Sequence, residues 1–161
     1  MAATILGISL GTKLIGVAVM RDGELIEHRV RTFKKRWSKD KEKTILTYIE
    51  KLIEYYSVSH VALKTPDPLK SSKRLDQLNE NVKEIVQKKT ELHNYSLPTV
   101  KLGLAIKSHN KNSFMEQIAE RYPELRKIYL KEINNRHSYY ERMFEAIGVA
   151  RCSDATSWIP L

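Results

Sequence analysis

Residues 5–19 read ILGISLGTKLIGVAV, two apolar runs joined by a Gly-Thr turn. The second run continues to Arg21, and an Asp-Gly pair at positions 22 and 23 separates it from the mixed segment ELIEHRV at residues 24–30. An Asp-Gly pair suits a tight hairpin turn. The opening therefore predicts three short strands connected by short turns.

Helical and extended patterns alternate along the rest of the chain. Ser38 is a good N-cap residue for a helix that ends near Tyr56, because apolar residues recur there at helical spacing. Residues 58–63 are typical of a short buried strand, which the prolines at 66 and 68 end. The further predicted elements are a helix over 69–93, a last strand over 98–106, and helices over 114–121, 123–133 and 139–151.

Composition limits the class of protein. With 161 residues, of which 42% are hydrophobic and 29% charged, the chain has the length and apolar content of one domain, which we place over 1–161. It has neither a run of about twenty apolar residues nor a secretory signal pattern, so we expect a cytoplasmic protein without a membrane partner. Cys152 is the only cysteine, which excludes an internal disulfide and a cysteine-based zinc cluster.

The net charge of the chain is strongly positive. At +9, it suits a polyanionic partner, because Lys and Arg gain affinity by releasing counterions from phosphates. Simple solubility is the alternative explanation. Clustering favours nucleic acid, since eight cations lie within fifteen residues: Arg29, Arg31, Lys34, Lys35, Arg36, Lys39, Lys41 and Lys43. Phe33 and Trp37, interleaved with these charges, either stack on a base or cap the core, and we favour capping.

The opening resembles the ribonuclease-H-like superfamily and, within it, the RuvC Holliday-junction resolvases and their YqgF-like relatives. Those proteins begin with a pattern close to I-L-G-I-D-x-G-T-x-x-x-G-V-A-V. The resemblance covers the first thirty or so residues, and elsewhere only the order of elements and the C-terminal helix. It implies an α/β fold in which a five-stranded mixed sheet, three antiparallel N-terminal strands and then two parallel ones, is flanked by helices.

Nucleases of this fold gather about four carboxylates around two divalent cations. The resemblance places Ser9 at the first position, where the family has Asp, and Lys64 at the second, where it has Glu. Residues 145–150, EAIGVA, resemble the family's last helix, so Glu145 is the retained carboxylate and Arg142 precedes it by three residues. We expect these four residues in one cleft of positive balance that binds phosphate but no metal, with Glu145 paired to Lys64 or Arg142.

Three functions follow from these observations. The leading hypothesis is a catalytically degenerate RuvC-like domain that binds nucleic acid, including branched DNA, without a cofactor. Its predicted binding residues are Lys13, Lys34, Lys35, Arg36, Trp37, Lys39, Lys101, Lys107 and Lys111. The second is an active endonuclease in which Glu145 holds Mg²⁺ or Mn²⁺ together with Asp67 and Glu141. The third is a protein-interaction scaffold, and the resemblance implies a homodimer with an interface on the helix over 69–93.

The histidines predict no metal site. His28, His60, His93, His109 and His137 are scattered, and no two of them lie at metal-ligand spacing on one helix. We expect each to be a surface or cap residue.

Overall fold

The computed structural model describes residues 3–108 and 110–157, with side chains as far as residue 154. Its strands are β1 (Thr4–Ser9), β2 (Leu14–Arg21), β3 (Glu24–Thr32), β4 (His60–Lys64) and β5 (Glu91–Tyr95). Its helices are α1 (Lys39–Tyr55), α2 (Lys73–Lys89), α3 (Leu97–Gly103), α4 (Lys111–Arg121), α5 (Arg126–Asn134) and α6 (Glu141–Ser157), with a 3₁₀ turn at Pro123–Leu125.

All five strands form one mixed sheet in the order β3-β2-β1-β4-β5. The strands β1, β2 and β3 pair antiparallel, whereas β4 runs parallel to β1 and β5 parallel to β4. Every residue of the central strand β1 is buried. The predicted five-stranded sheet, with antiparallel and then parallel pairing, is confirmed.

The predicted hairpin turn between β2 and β3 is present. Asp22 and Gly23 both have positive φ, at 56° and 76°, and they join the paired residues Arg21 and Glu24. Two successive positive φ angles are typical of the turn whose twist matches that of the flanking strands. The Asp-Gly pair thereby sets the register of the hairpin.

Helices cover both faces of the sheet. The helices α1 and α2 pack on one face, where Ile45, Ile49, Val82 and Val86 are buried against alternate residues of the strands. On the other face α6 crosses the strands with α3 and α4 outside it. A Cβ on Gly7 would lie 2.1 Å from the Ala146 carbonyl oxygen, so this glycine lets α6 lie directly on β1.

The prediction of the last strand is wrong. The fifth strand is β5, which the sequence analysis assigned to the end of a helix over 69–93, and the predicted strand over 98–106 is helix α3. Ser96 caps that helix by accepting a hydrogen bond from the Thr99 amide, and Pro98 lies in its first turn, where a missing amide hydrogen costs nothing. Pairing with β4 fixes β5 instead.

The starts of α1 and α2 follow from their N-caps. Ser38 accepts a hydrogen bond from the Lys41 amide at 3.1 Å, as predicted. The helix α2 begins at Lys73 rather than at residue 69, because Ser72 caps it by accepting from the Leu75 amide. Within the described residues, no helix has both the length and the apolar composition required to cross a bilayer.

Candidate nucleic-acid interface

Three predicted site residues meet where β1 and β4 end. These two strands are parallel, so their last residues, Ser9 and Lys64, reach the same edge of the sheet. The first turns of α6 bring Glu145 to that edge. The Ser9 hydroxyl donates to Glu145 Oε1 at 2.9 Å, and the Lys64 ammonium donates to Oε2 at 2.9 Å.

The Lys64–Glu145 ion pair is nearly buried. The side chain of Lys64 is 13% exposed and that of Glu145 is 7% exposed. Removing both charges from water costs several kcal/mol, which only a close, fully hydrogen-bonded geometry offsets. Each oxygen of the Glu145 carboxylate has its own donor, which offsets part of that cost.

Arg142 lies apart from this pair, against the turn between β1 and β2. Its Nη1 donates to the Leu10 carbonyl at 2.5 Å. A Cβ on Gly11 would lie 2.5 Å from Arg142 Nε, so the absence of a side chain there makes room for the guanidinium. Lys64 and Arg142 are the two partners expected for Glu145. Lys64 forms the ion pair, whereas Arg142 bonds to the turn between β1 and β2.

The side chains of Ser9, Lys64 and Glu145 can be compared with the ligands that the metal ions of a nuclease require. Mg²⁺ requires oxygen ligands, and two such ions require several carboxylates. Here Ser9 contributes a neutral hydroxyl, and the ammonium of Lys64 lies on an oxygen of Glu145. A cation beside that ammonium would meet strong repulsion in a nearly buried site. The donor set of these three residues does not fit the two-metal centre that the fold implies.

Lys64 and Glu145 line a cleft of about 1000 Å³. The segments after β1 and β4 and the starts of α3, α4 and α6 enclose it. The charged residues that line this cleft are Lys13, Lys64, Lys70, Lys101, Lys111 and Arg142 against Asp67, Glu141 and Glu145. The net charge of the residues that line the cleft is therefore positive.

The two other acids of the cleft already have partners. Asp67 accepts a hydrogen bond from the Leu69 amide at 2.9 Å, which holds the turn after β4. Glu141 accepts from the Ser138 hydroxyl at 2.9 Å and lies 4.0 Å from the Lys111 ammonium. The acids of the endonuclease hypothesis thus line the same cleft as Glu145, but each is tied to a local contact.

A second cavity, of about 890 Å³, adjoins the cleft, and we call it the basic groove. Thr12, Lys13 and Leu14 of the turn between β1 and β2 line both cavities. The charged residues of the basic groove are Lys13, Lys34, Lys35, Arg36, Lys41 and Arg74. No acidic residue lines it among the residues that the structure describes.

Lys41 is the buried cation of the basic groove. It is only 7% exposed, and its ammonium donates to the Lys35 carbonyl at 2.8 Å. Within residues 3–108 and 110–154, no carboxylate lies at ion-pair distance from it. Burial lowers the pKa of Lys41, and the nearby charges of Lys13 and Arg74 lower it further. An anion bound in the groove would relieve this repulsion.

The two aromatic residues of the basic segment have different surroundings. Phe33 is 7% exposed and packs edge-on against Tyr48, with ring centroids 6.0 Å apart, so it caps the core. Trp37 is half-buried and lines the basic groove, where the Lys41 ammonium lies 5.8 Å from its ring centroid. Trp37 is therefore the more exposed of the two rings at the basic groove, although it also packs against the core on that face of the sheet.

The structure divides the predicted nucleic-acid residues into three groups. Those that line the basic groove are Lys13, Lys34, Lys35, Arg36 and Trp37, and those that line the cleft are Lys13, Lys101 and Lys111. Lys39 and Lys107 are exposed but line neither cavity.

The sequence analysis did not include Lys41, Lys70 or Arg74 among the binding residues. The sequence does indicate that Lys41 lies on the buried side of α1, because it precedes Ile45 and Ile49 by four and eight residues. Arg74 has no such signal, since it reaches the groove from α2.

No protein-family model matches the chain, and no curated protein matches it either. Several solved structures do. RuvC from Thermus thermophilus gives a TM-score of 0.70 at 15% identity over 96% of this chain and 95% of that one. T. thermophilus RuvC in complex with a Holliday junction substrate gives a TM-score of 0.68 at 14% identity, and the match covers 96% of this chain and 94% of that one. The fowlpox virus resolvase in complex with Holliday junction DNA gives a TM-score of 0.55 at 15% identity, and the match covers 98% of this chain and 99% of that one.

These matches cover nearly the whole of both chains. The chain therefore has the ribonuclease-H-like fold in its RuvC form, as the resemblance of its opening implied. Identities of 14% and 15% establish the fold alone.

Proposed function

We propose that this protein binds nucleic acid, and branched DNA in particular, across the cleft and the basic groove, and does not cut it by a metal-dependent reaction. The observation that carries the proposal is the Lys64–Glu145 pair. An ammonium lies 2.9 Å from the one carboxylate that the resemblance assigns to the metal-binding positions of the family.

The charge of the two cavities supports binding of a phosphate backbone. Lys13 lies in both linings, so the cations of the cleft and the basic groove are contiguous. Each cation that contacts a phosphate releases a counterion, and the affinity then falls steeply as salt rises. The half-buried Trp37 adds a ring on which an unpaired base can stack.

The preference for branched DNA rests on the structural relatives. The T. thermophilus RuvC and fowlpox virus resolvase structures contain Holliday junction DNA, and both match this chain over nearly its full length. A cleft and a groove that meet at a turn give two adjoining basic surfaces, which suit a substrate with more than one duplex arm. A homodimer, as the resemblance implies, would present this surface twice.

A salt titration tests binding. We expect the protein to bind a labelled four-way junction more tightly than a linear duplex of equal length, with an affinity that falls as salt rises from about 50 to 200 mM. The Lys34→Ala/Lys35→Ala variant should reduce the slope of log affinity against log salt by about 2, or about 1 for each lost phosphate contact. Fluorescence anisotropy measures both quantities.

The matched control removes two charges elsewhere. Lys127 and Lys131 are exposed on α5 and line neither cavity, so Lys127→Ala/Lys131→Ala should bind nearly as the wild type does. An equal loss in both double variants would contradict a specific interface. Self-association that is independent of salt, without DNA binding, would favour the protein-interaction scaffold instead.

A further inference from the structure

Two histidines and a glutamate meet at the end of the sheet opposite the cleft. The parallel pairing of β4 and β5 sets His60 beside Glu91 and Ala62 beside His93. Alternate residues of a strand face the same side of a sheet, so Glu91 and His93 share a face with His60. Four residues of β4, roughly 13 Å at about 3.3 Å per residue, separate His60 from Lys64.

The three side chains converge on one point. His60 Nδ1 lies 3.3 Å from His93 Nε2 and 3.1 Å from Glu91 Oε2, and His93 Nε2 lies 3.7 Å from the same oxygen. A circle through these three atoms has a radius of about 2.0 Å, which is close to the bond length of about 2.0–2.1 Å that zinc makes to such ligands. The three atoms therefore have the spacing that allows one cation to contact all of them.

The contact between the two rings brings two nitrogen ligand atoms together. When two imidazole nitrogens face each other at hydrogen-bond distance, at most one of them carries a proton. A metal ion that replaces this shared proton would be bound by a lone pair of each nitrogen, and the Glu91 carboxylate adds oxygen lone pairs beside them. These are the donors that divalent transition metals prefer.

We propose that His60, Glu91 and His93 form a binding site for a divalent transition metal of the zinc class. The side chains are 26%, 69% and 41% exposed, so the metal can enter from solvent and water can complete its coordination. The bound metal links the edge strand β5 to β4. This site is separate from the nucleic-acid interface and does not depend on it.

The sequence analysis missed this site because it misplaced one strand. With residues 69–93 in a helix, His93 has no fixed relation to His60. Only the pairing of β5 with β4 brings the two histidines together, although 33 residues separate them.

Zinc binding by the full chain tests the proposal. Isothermal titration with ZnCl₂ should give one equivalent bound, and Co²⁺ should give the intense visible absorption of a four-coordinate site. His60→Ala and His93→Ala should abolish the saturable binding. Glu91→Gln should weaken it by roughly tenfold or more, since the loss of an outer hydrogen-bond partner of a metal ligand already costs about that much.

The control removes a histidine outside the cluster. His137→Ala loses an exposed imidazole from the loop before α6 and should still bind one equivalent. Zinc should also raise the thermal midpoint of the wild type and of His137→Ala, but not that of His93→Ala. The absence of saturable binding in the wild type, or unchanged binding in Glu91→Gln and His93→Ala, would overturn the proposal.

Discussion

Lys64 and Glu145 set the chemistry of the cleft at the scale of single residues. A carboxylate with a hydroxyl on one oxygen and an ammonium on the other is neutralised locally, and a metal ion bound to it would lie beside the positive charge of Lys64. The pair is also nearly buried, so each charge depends on the other. The cleft therefore loses stability when either partner is removed alone.

Removal of one charge of this pair should destabilise the fold. Lys64→Met leaves Glu145 nearly buried with only the Ser9 hydroxyl as a donor, and it should lower the free energy of unfolding by about 3 kcal/mol. The Lys64→Met/Glu145→Leu variant should recover most of that loss, because no unpaired charge remains. Urea unfolding measures both, and a double variant no more stable than Lys64→Met would contradict the account.

Restored carboxylates should bind metal. In the Ser9→Asp/Lys64→Glu variant, two new acids join Glu145, and their mutual repulsion favours a divalent cation between them. We expect this variant to be less stable than the wild type without metal and to gain thermal stability when Mn²⁺ is added. The wild type serves as the control and should show no such gain.

Lys41 should be important for binding and dispensable for folding. Its lowered pKa means that the unfolded chain holds this proton more readily than the folded chain does, so the charged form opposes folding at neutral pH. Lys41→Met should therefore unfold at the same or slightly higher urea concentration, while its salt slope for junction binding falls by about 1. A clear loss of stability with unchanged binding would assign Lys41 a purely structural role.

Secondary-structure elements place the site, and the sequence predicts most but not all of them. The strands β1 to β3 follow from apolar runs and an Asp-Gly turn, and α1 follows from the Ser38 cap. The strand β5, Glu91–Tyr95, contains no β-branched residue, and it is extended because it pairs with β4. Conversely, residues 100–106 alternate large apolar residues with Lys, Gly and Ala as a strand can, yet the Ser96 cap and Pro98 start helix α3 at Leu97.

The packing of α6 against β1 leaves no room for a side chain at position 7. A Cβ on Gly7 would lie 2.1 Å from the backbone oxygen of Ala146 and 2.8 Å from the Ala150 Cβ, so the helix itself would have to move. Gly7→Ala should lower the free energy of unfolding by about 1–3 kcal/mol, and it should weaken junction binding because α6 carries Arg142, one of the cations of the cleft. Urea unfolding and anisotropy measure the two effects.

Gly103→Ala is the matched control. Its added Cβ would meet only the end of the Cys152 side chain, at 3.0 Å. It should therefore cost less stability than Gly7→Ala and leave binding unchanged. Equal losses in the two variants would contradict the account of how α6 is positioned.

The whole molecule combines a ribonuclease-H-like fold with an excess of positive charge. The net charge of +9 and the cluster between residues 29 and 43 are evident in the sequence. The sequence could not predict that Lys13 joins two basic cavities, or that Arg74 reaches one of them from α2, because these relations arise only when the sheet and helices assemble. For the same reason, the cluster of His60, Glu91 and His93 was not predicted.

The most direct test of the central claim is one incubation of the wild-type protein with an end-labelled four-way junction and Mn²⁺, divided between a native and a denaturing gel. The account predicts a shifted junction on the native gel and intact strands on the denaturing gel. Cleaved strands that disappear with Glu145→Ala would contradict it and would support the endonuclease that uses Glu145 with Asp67 and Glu141.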